Sequence, residues 1–172
     1  MLKTFKYRLY PTKRQVRLLH SQLEACRWLW NAVLAERKQA WEERQEAIDS
    51  DEQQAEWPLR KAGERPLVQS PVLQDGVVRV RQACDACFRR LKAGADPGYK
   101  GQGRYDSWTY PPWANGVPLS ATLLLSTLGK VKSIPHRPRD GTPKRATIRR
   151  TARGWCRLPV SGNPHPCHQH RQ

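Results

Sequence analysis

Two cysteines three residues apart, Cys84 and Cys87, have the spacing with which thiolates grip zinc, and Cys156, His165, Cys167, His168 and His170 could supply further ligands. The pair falls inside a helical pattern with both thiols on its inner stripe, where cysteine packs as a small hydrophobe. No metal site is therefore expected. Carboxylates that cut phosphodiesters must hold two ions roughly 3.5–4 Å apart, which requires them to cluster. Eight of the fifteen acids lie between Glu42 and Glu64, a pattern of solvated helix, and Asp75, Asp85, Asp96, Asp106 and Asp140 are scattered among basic and turn residues. The reading is no catalytic residue and no enzyme activity in this chain.

The bases carry more information. Thirty-one Lys and Arg against fifteen acids give a formal charge of +16 over 172 residues, and a polyanion gains affinity by releasing counterions to such a chain. Ten bases and one acid lie between Lys130 and Arg157. Lys130, Lys132, Arg137, Arg139, Lys144, Arg145, Arg149 and Arg150 alternate with apolar positions, so one face of those strands should be positive. Lys3, Lys6, Arg8, Lys13, Arg14 and Arg17 would extend that face. Tyr99, Tyr105, Trp108 and Trp113, interleaved with Lys100 and Arg104, could stack on unpaired bases. Trp28 and Trp30 are read as core. No apolar run approaches the ~20 residues of a spanning helix, so no membrane role is expected. Five cysteines without an export signal point to reduced thiols in a cytoplasm.

These residues need elements to hold them. Leu2 to Tyr10 alternates, with Phe5, Tyr7 and Leu9 on one face, and predicts a half-buried strand. Thr12 and Gln15 match a capping box, after which Val16, Leu19, Leu23, Cys26, Trp30 and Val33 lay an apolar stripe along a helix. The pattern runs on to Ala47, as one long helix or two with a bend. A second helix is predicted over 70–92, starting at Ser70-Pro71, with Val77, Val80, Cys84, Cys87 and Leu91 inside. A Gly-rich basic loop, 98–104, and short strands follow, around 117–119, 123–125, 130–134 and 145–150. The fold class is α+β, a small wedge-like β-barrel made by the N-terminal strand and the C-terminal strands, with an inserted helical domain. Patterning fails at Cys156, as a strand should be building, so the chain reads as cut short there.

Several stretches resemble the TnpB/OrfB family of insertion-sequence proteins, long called putative transposases. They are Tyr7-Arg8-Leu9-Tyr10-Pro11-Thr12, Cys26-Arg27-Trp28-Leu29-Trp30-Asn31, Leu73-Gln74-Asp75 and Phe88-Arg89-Arg90-Leu91-Lys92-Ala93-Gly94. Pro97-Gly98-Tyr99, Gly103-Arg104-Tyr105-Asp106-Ser107, Leu128-Gly129-Lys130-Val131, His136-Arg137-Pro138 and Ala146-Thr147-Ile148-Arg149-Arg150 continue in order. The family is similar to type V CRISPR effectors, RNA-guided DNA endonucleases in which base pairing reads the target while protein reads a short motif and backbone shape. Its N-terminal helices are described as a helix-turn-helix. The resemblance implies a wedge-like barrel over 1–11 and 114–155, a helical recognition insertion over 12–113, and an aberrant, disordered tail over 156–172. It implies that the RNase H-like nuclease domain, with its Mg²⁺ and structural zinc, is missing, so no cofactor belongs to this chain. Guide RNA and target DNA become the expected partners, in a bacterial or archaeal cytoplasm near the nucleoid. By resemblance, Ser70 and Gln74 lie on the helix that meets the DNA motif, and Thr109 and Tyr110 on the segment approaching the same duplex. Lys3, Lys6, Arg8, Lys13, Arg14, Lys130, Lys132, Arg137, Arg149 and Arg150 would hold nucleic-acid backbone. Two other readings stay open: a stand-alone helix-turn-helix regulator, and a non-functional remnant of a degraded insertion sequence.

Overall fold

Alternation in the first strands decides how the sheet is built. The computed structural model describes residues 2–49, 51–56, 70–89, 98–111, 122–125, 128–134 and 143–162. The predicted N-terminal strand is divided into β1 (Leu2–Thr4) and β2 (Tyr7–Tyr10), with Tyr7 and Leu9 buried and Arg8 and Tyr10 exposed. Helix α1 (Lys13–Arg44) follows, then a short helix α2 over 51–56 and helix α3 (Ser70–Phe88). Strands β3 (Ser107–Tyr110), β4 (Thr122–Leu125), β5 (Gly129–Ser133), β6 (Pro143–Thr151) and β7 (Gly154–Gly162) complete the α+β order.

Thr12 starts α1 as expected. Its hydroxyl accepts from the Gln15 backbone (3.3 Å), and the Gln15 side chain accepts from the Thr12 backbone (3.0 Å), satisfying two helix-end donors together. The helix then runs 32 residues without a break, and its stripe of Leu19, Leu23, Cys26, Leu29, Trp30, Val33 and Leu34 is buried. Val16 is half-buried, and Trp28 is 37% exposed rather than core. Gln53 ties α2 to α1, accepting from Arg37 (2.8 Å) and donating to Glu36 (2.8 Å). Helix α3 packs Val72, Leu73, Val77, Val80 and Cys84 inward. Gly76 lets it come close: a Cβ there would sit 2.7 Å from Leu29 Cδ2. Arg79 on α3 donates to the Ser107 carbonyl (2.8 Å), fastening the helix to β3.

All pairings are antiparallel, in the order β3-β6-β7-β2-β5-β4, with β1 also beside β7. Strand β2 pairs its first half with β7 and its second half with β5. Among the described residues the sheet has two free ends, β3 and β4, so the expected barrel is not closed. The reason lies in the core. Trp108, Ile148 and Trp155 of the sheet pack with Leu19, Leu23 and Val77 of the helices, so α1 and α3 cover the face a closed barrel would have turned on itself.

Two further expectations are corrected. Strand β3 falls within 12–113, assigned to a helical insertion, yet it pairs with β6 throughout. Strand β7 runs past Cys156 to Gly162, paired with β1, β2 and β6, so the tail expected from 156 begins inside the sheet. A tight turn at Ala152-Arg153, with Gly154 at φ 108° where other residues are strained, sends β7 back along β6. Backbone pairing with three strands sustains β7 through Arg157 and Pro159, which interrupt any apolar pattern. Residues 163–172, and the predicted strand around 117–119, lie outside the described residues.

Candidate nucleic-acid interface

Register sorts the sheet into an inner and an outer face. On the inner face Trp108, Ile148, Arg157 and Tyr7 stand side by side across β3, β6, β7 and β2, each at most 1% exposed. The Arg157 guanidinium lies 5.3 Å from the centre of the Tyr7 ring, a cation held against the negative face of an aromatic. One position away, the outer face carries the row Ser107, Arg149, Cys156 and Arg8. The next strand continues it: Tyr10 pairs with Lys132, and Lys130 follows two residues on. Arg8, Tyr10, Lys130, Lys132 and Arg149 are all exposed. Arg8 also stacks over Tyr10 (5.6 Å) and donates to the Arg153 carbonyl (3.1 Å), which fixes its guanidinium.

The start of α1 lies beside β5. Gln15, besides capping, donates to the carbonyls of Leu128 (3.3 Å) and Lys130 (2.9 Å), so the helix end is sewn to β5. Lys13, Arg14 and Arg17 are exposed there, and the first turn holds no acid. A helix N-terminus already bears partial positive charge, so each base on it costs about 0.3–1 kcal/mol of helix stability. An anion supplied from outside would offset that cost.

At the other end of the outer face lies a cleft of about 520 Å³, lined by Lys6, Asp106, Arg149, Arg150, Thr151, Cys156 and Leu158 among others. Arg149 pairs with Asp106 through Nε (2.9 Å) and Nη2 (2.8 Å) to one carboxylate oxygen. Lys6 is exposed and has no carboxylate partner among the described residues. Burial pushes the Cys156 thiol up, against the pull of Lys6 and Arg149 in the opposite direction. The sequence-derived residues Arg8, Lys130, Lys132 and Arg149 thus share the outer face, Lys6, Arg149 and Arg150 line the cleft, and Lys13 and Arg14 are exposed at the helix start beside β5.

Other candidates are placed otherwise. Thr109 (8% exposed) and Tyr110 (3%) are buried. The Thr109 hydroxyl is 2.9 Å from that of Thr147, and burial pushes the Tyr110 phenol up to about 12. Their aromatic and β-branched character belongs to sheet packing. Gln74 is half-buried on α3, Ser70 opens that helix, and Lys3 pairs with Ser161 through its backbone. Arg137 lies outside the described residues. Cys84 and Cys87 sit one turn apart on α3, Cys156 is in β7, and no group of three possible metal ligands occurs among the described residues. His165, Cys167, His168 and His170 lie outside the described residues. Among the described residues no helix is long and apolar enough to cross a membrane.

One positioning device escaped the sequence reading. Asn31 clamps the basic loop 98–104 to α1: its Oδ1 accepts from Lys100 N (2.8 Å) and its Nδ2 donates to Lys100 O (3.1 Å). Arg27 donates to the same carbonyl (3.3 Å), and Trp30 Nε1 to Gly98 O (3.4 Å). The signal was the run Cys26–Asn31 itself, in which three polar donors recur on one side of a helix. Its partner, 69 residues away, could not be read from it.

Residues 1–46 match the family model HTH_OrfB_IS605, described as a helix-turn-helix domain. The match is a likeness of this stretch to the N-terminal helix-turn-helix domain of OrfB-type proteins. In this structure the same stretch holds two short strands and one uninterrupted helix, without a turn between helices among the described residues. No curated protein matches the chain.

Proposed function

We propose that this chain, which opens with a TnpB/OrfB-type segment, grips a structured guide RNA by its backbone on the outer face of the sheet, beside target-adjacent DNA, and does not cut. The observation that carries the reading is the shared surface itself: Arg8, Lys130, Lys132 and Arg149 exposed across strands β2, β5 and β6, flanked by Lys13, Arg14 and Arg17 at the positive end of a helix. Bases spread over a sheet face suit phosphates, which position a strand without reading its sequence. The first turns of α3, with Gln74, are the part we assign to the DNA duplex. Binding would need no cofactor.

A stand-alone helix-turn-helix regulator would read duplex DNA with a second helix set across a turn. The continuity of Lys13–Arg44 disfavours it. Gel shifts at several salt concentrations test the choice. If about six cations meet phosphates, affinity for structured RNA falls with a log–log slope near −4 to −5. Affinity for duplex DNA alone that equals or exceeds affinity for RNA would favour the regulator. Specific cuts in target DNA, given RNA and magnesium, would overturn the non-cutting part.

A further inference from the structure

The cleft on the outer face differs from the rest of the basic surface in having a floor. Cys156 is 4% exposed and Leu158 is half-buried; Lys6 and Arg149 stand around them. A flat row of cations would serve phosphates alone. Here an open cleft of about 520 Å³ lies over a thiol and an aliphatic side chain. Asp106 offsets one of the three cations on the lining and steers the Arg149 fork, whose remaining N–H groups stay available for a second acceptor. With Arg150 also on the lining, three cations against Asp106 leave the cleft positive, which suits the phosphate of a nucleotide.

We propose that this cleft takes one unstacked nucleotide of a single strand, its phosphate between Lys6 and Arg149 and its base against Leu158 and the Cys156 sulfur. A base has an apolar π-face that packs on aliphatic carbon and on sulfur, while its edges stay free for polar partners. Thr151, whose hydroxyl donates to the Gly154 carbonyl (2.7 Å), keeps an oxygen lone pair at the rim for a base or ribose donor. A paired, stacked base cannot enter. The site therefore selects unpaired nucleic acid, which the flat basic surface does not. This rests on the nucleic-acid reading above and refines it.

The test is photochemical cross-linking of the full chain to a short single-stranded RNA carrying one 4-thiouridine, with peptide mapping. The expected result is a cross-link within residues 149–158. In Lys6→Glu, an exposed position whose folding is checked by circular dichroism, its yield falls about tenfold relative to cross-links near Lys130 and Lys132. The same thiouridine paired in a duplex should give little cross-linking in 149–158. Bound RNA that cross-links only around Lys13–Arg17 and Lys130–Lys132 would overturn the cleft assignment while leaving the basic surface standing. Equal yields from paired and unpaired thiouridine would overturn the unstacked base. Loss of all RNA binding by the unmodified protein would sink both readings.

Discussion

Asn31 illustrates how much one amide can set. Both its polar atoms are used on Lys100, and the loop so held carries Lys100 5.1 Å from the centre of the Trp30 ring and Tyr99 under the Lys38 ammonium at 5.0 Å. Asn31→Ala removes both bonds and should destabilise the protein by about 2 kcal/mol in urea unfolding, each bond contributing roughly 1. Asn31→Asp keeps the acceptor for Lys100 N but sets a carboxylate oxygen against the Lys100 carbonyl, so it should not restore the lost stability. A loss under about 0.5 kcal/mol for the alanine variant would mean the clamp is ornamental. Tyr110 gives a second test. Its folded pKa is raised to about 12, so the unfolded chain ionises first as pH climbs past the ordinary value of 10. Tyr110 therefore favours the fold below pH 10 and withdraws that support between 10 and 12, at about 1.4 kcal/mol per pH unit. Tyr110→Phe should flatten that alkaline limb of a stability–pH curve, and an unchanged limb would argue against a buried phenol.

At the scale of elements, the start of α1 sets stability against binding. Lys13 and Arg14 sit where the helix dipole disfavours cations, next to β5 through Gln15. Replacing both with Glu should raise folding stability by about 1 kcal/mol and weaken RNA binding at least about tenfold, since two phosphate contacts become repulsions. Calorimetry and gel shifts read the two effects separately. A variant that gains stability and binds as before would remove the helix end from the interface. This junction was legible in the sequence: the capping box and the alternation of Tyr7, Leu9, Val131 and Ile148 are local, and a period of two or 3.6 decides them. Strand β7 was not. Arg157 sits fully buried on the inner row against Tyr7, so a core position wears a charge and the pattern breaks where the structure does not. The burial of Thr109 and Tyr110 was not legible either, because a polar atom in sequence does not reveal that its hydroxyl meets one on a paired strand, as Thr109 meets Thr147. Barrel closure depends on which strand edges meet, a non-local fact to which no window of residues has access.

Over the whole molecule, the charge is polarised along α1. The helix is about 48 Å long at 1.5 Å per residue. Bases gather at its start, while Glu36, Glu43, Glu46, Asp49, Glu52 and Glu56 line a groove of about 630 Å³ between its far end and α2. At physiological salt the screening length is about 8 Å, so the acidic end does not dilute the field at the basic face. It acts locally, denying a polyanion a second foothold on a chain of charge +16. The consequence is countable. The unmodified protein should bind one short RNA per chain in a titration well above the dissociation constant. Glu43→Lys with Glu46→Lys, both at exposed positions, should admit additional RNA at the converted end, raising the stoichiometry toward two, while the salt slope of the first site stays the same. If the variant still binds one RNA per chain with an unaltered isotherm, the acidic end plays no part in directing the polyanion. The orientation of bound RNA must then come from contacts on the basic face alone.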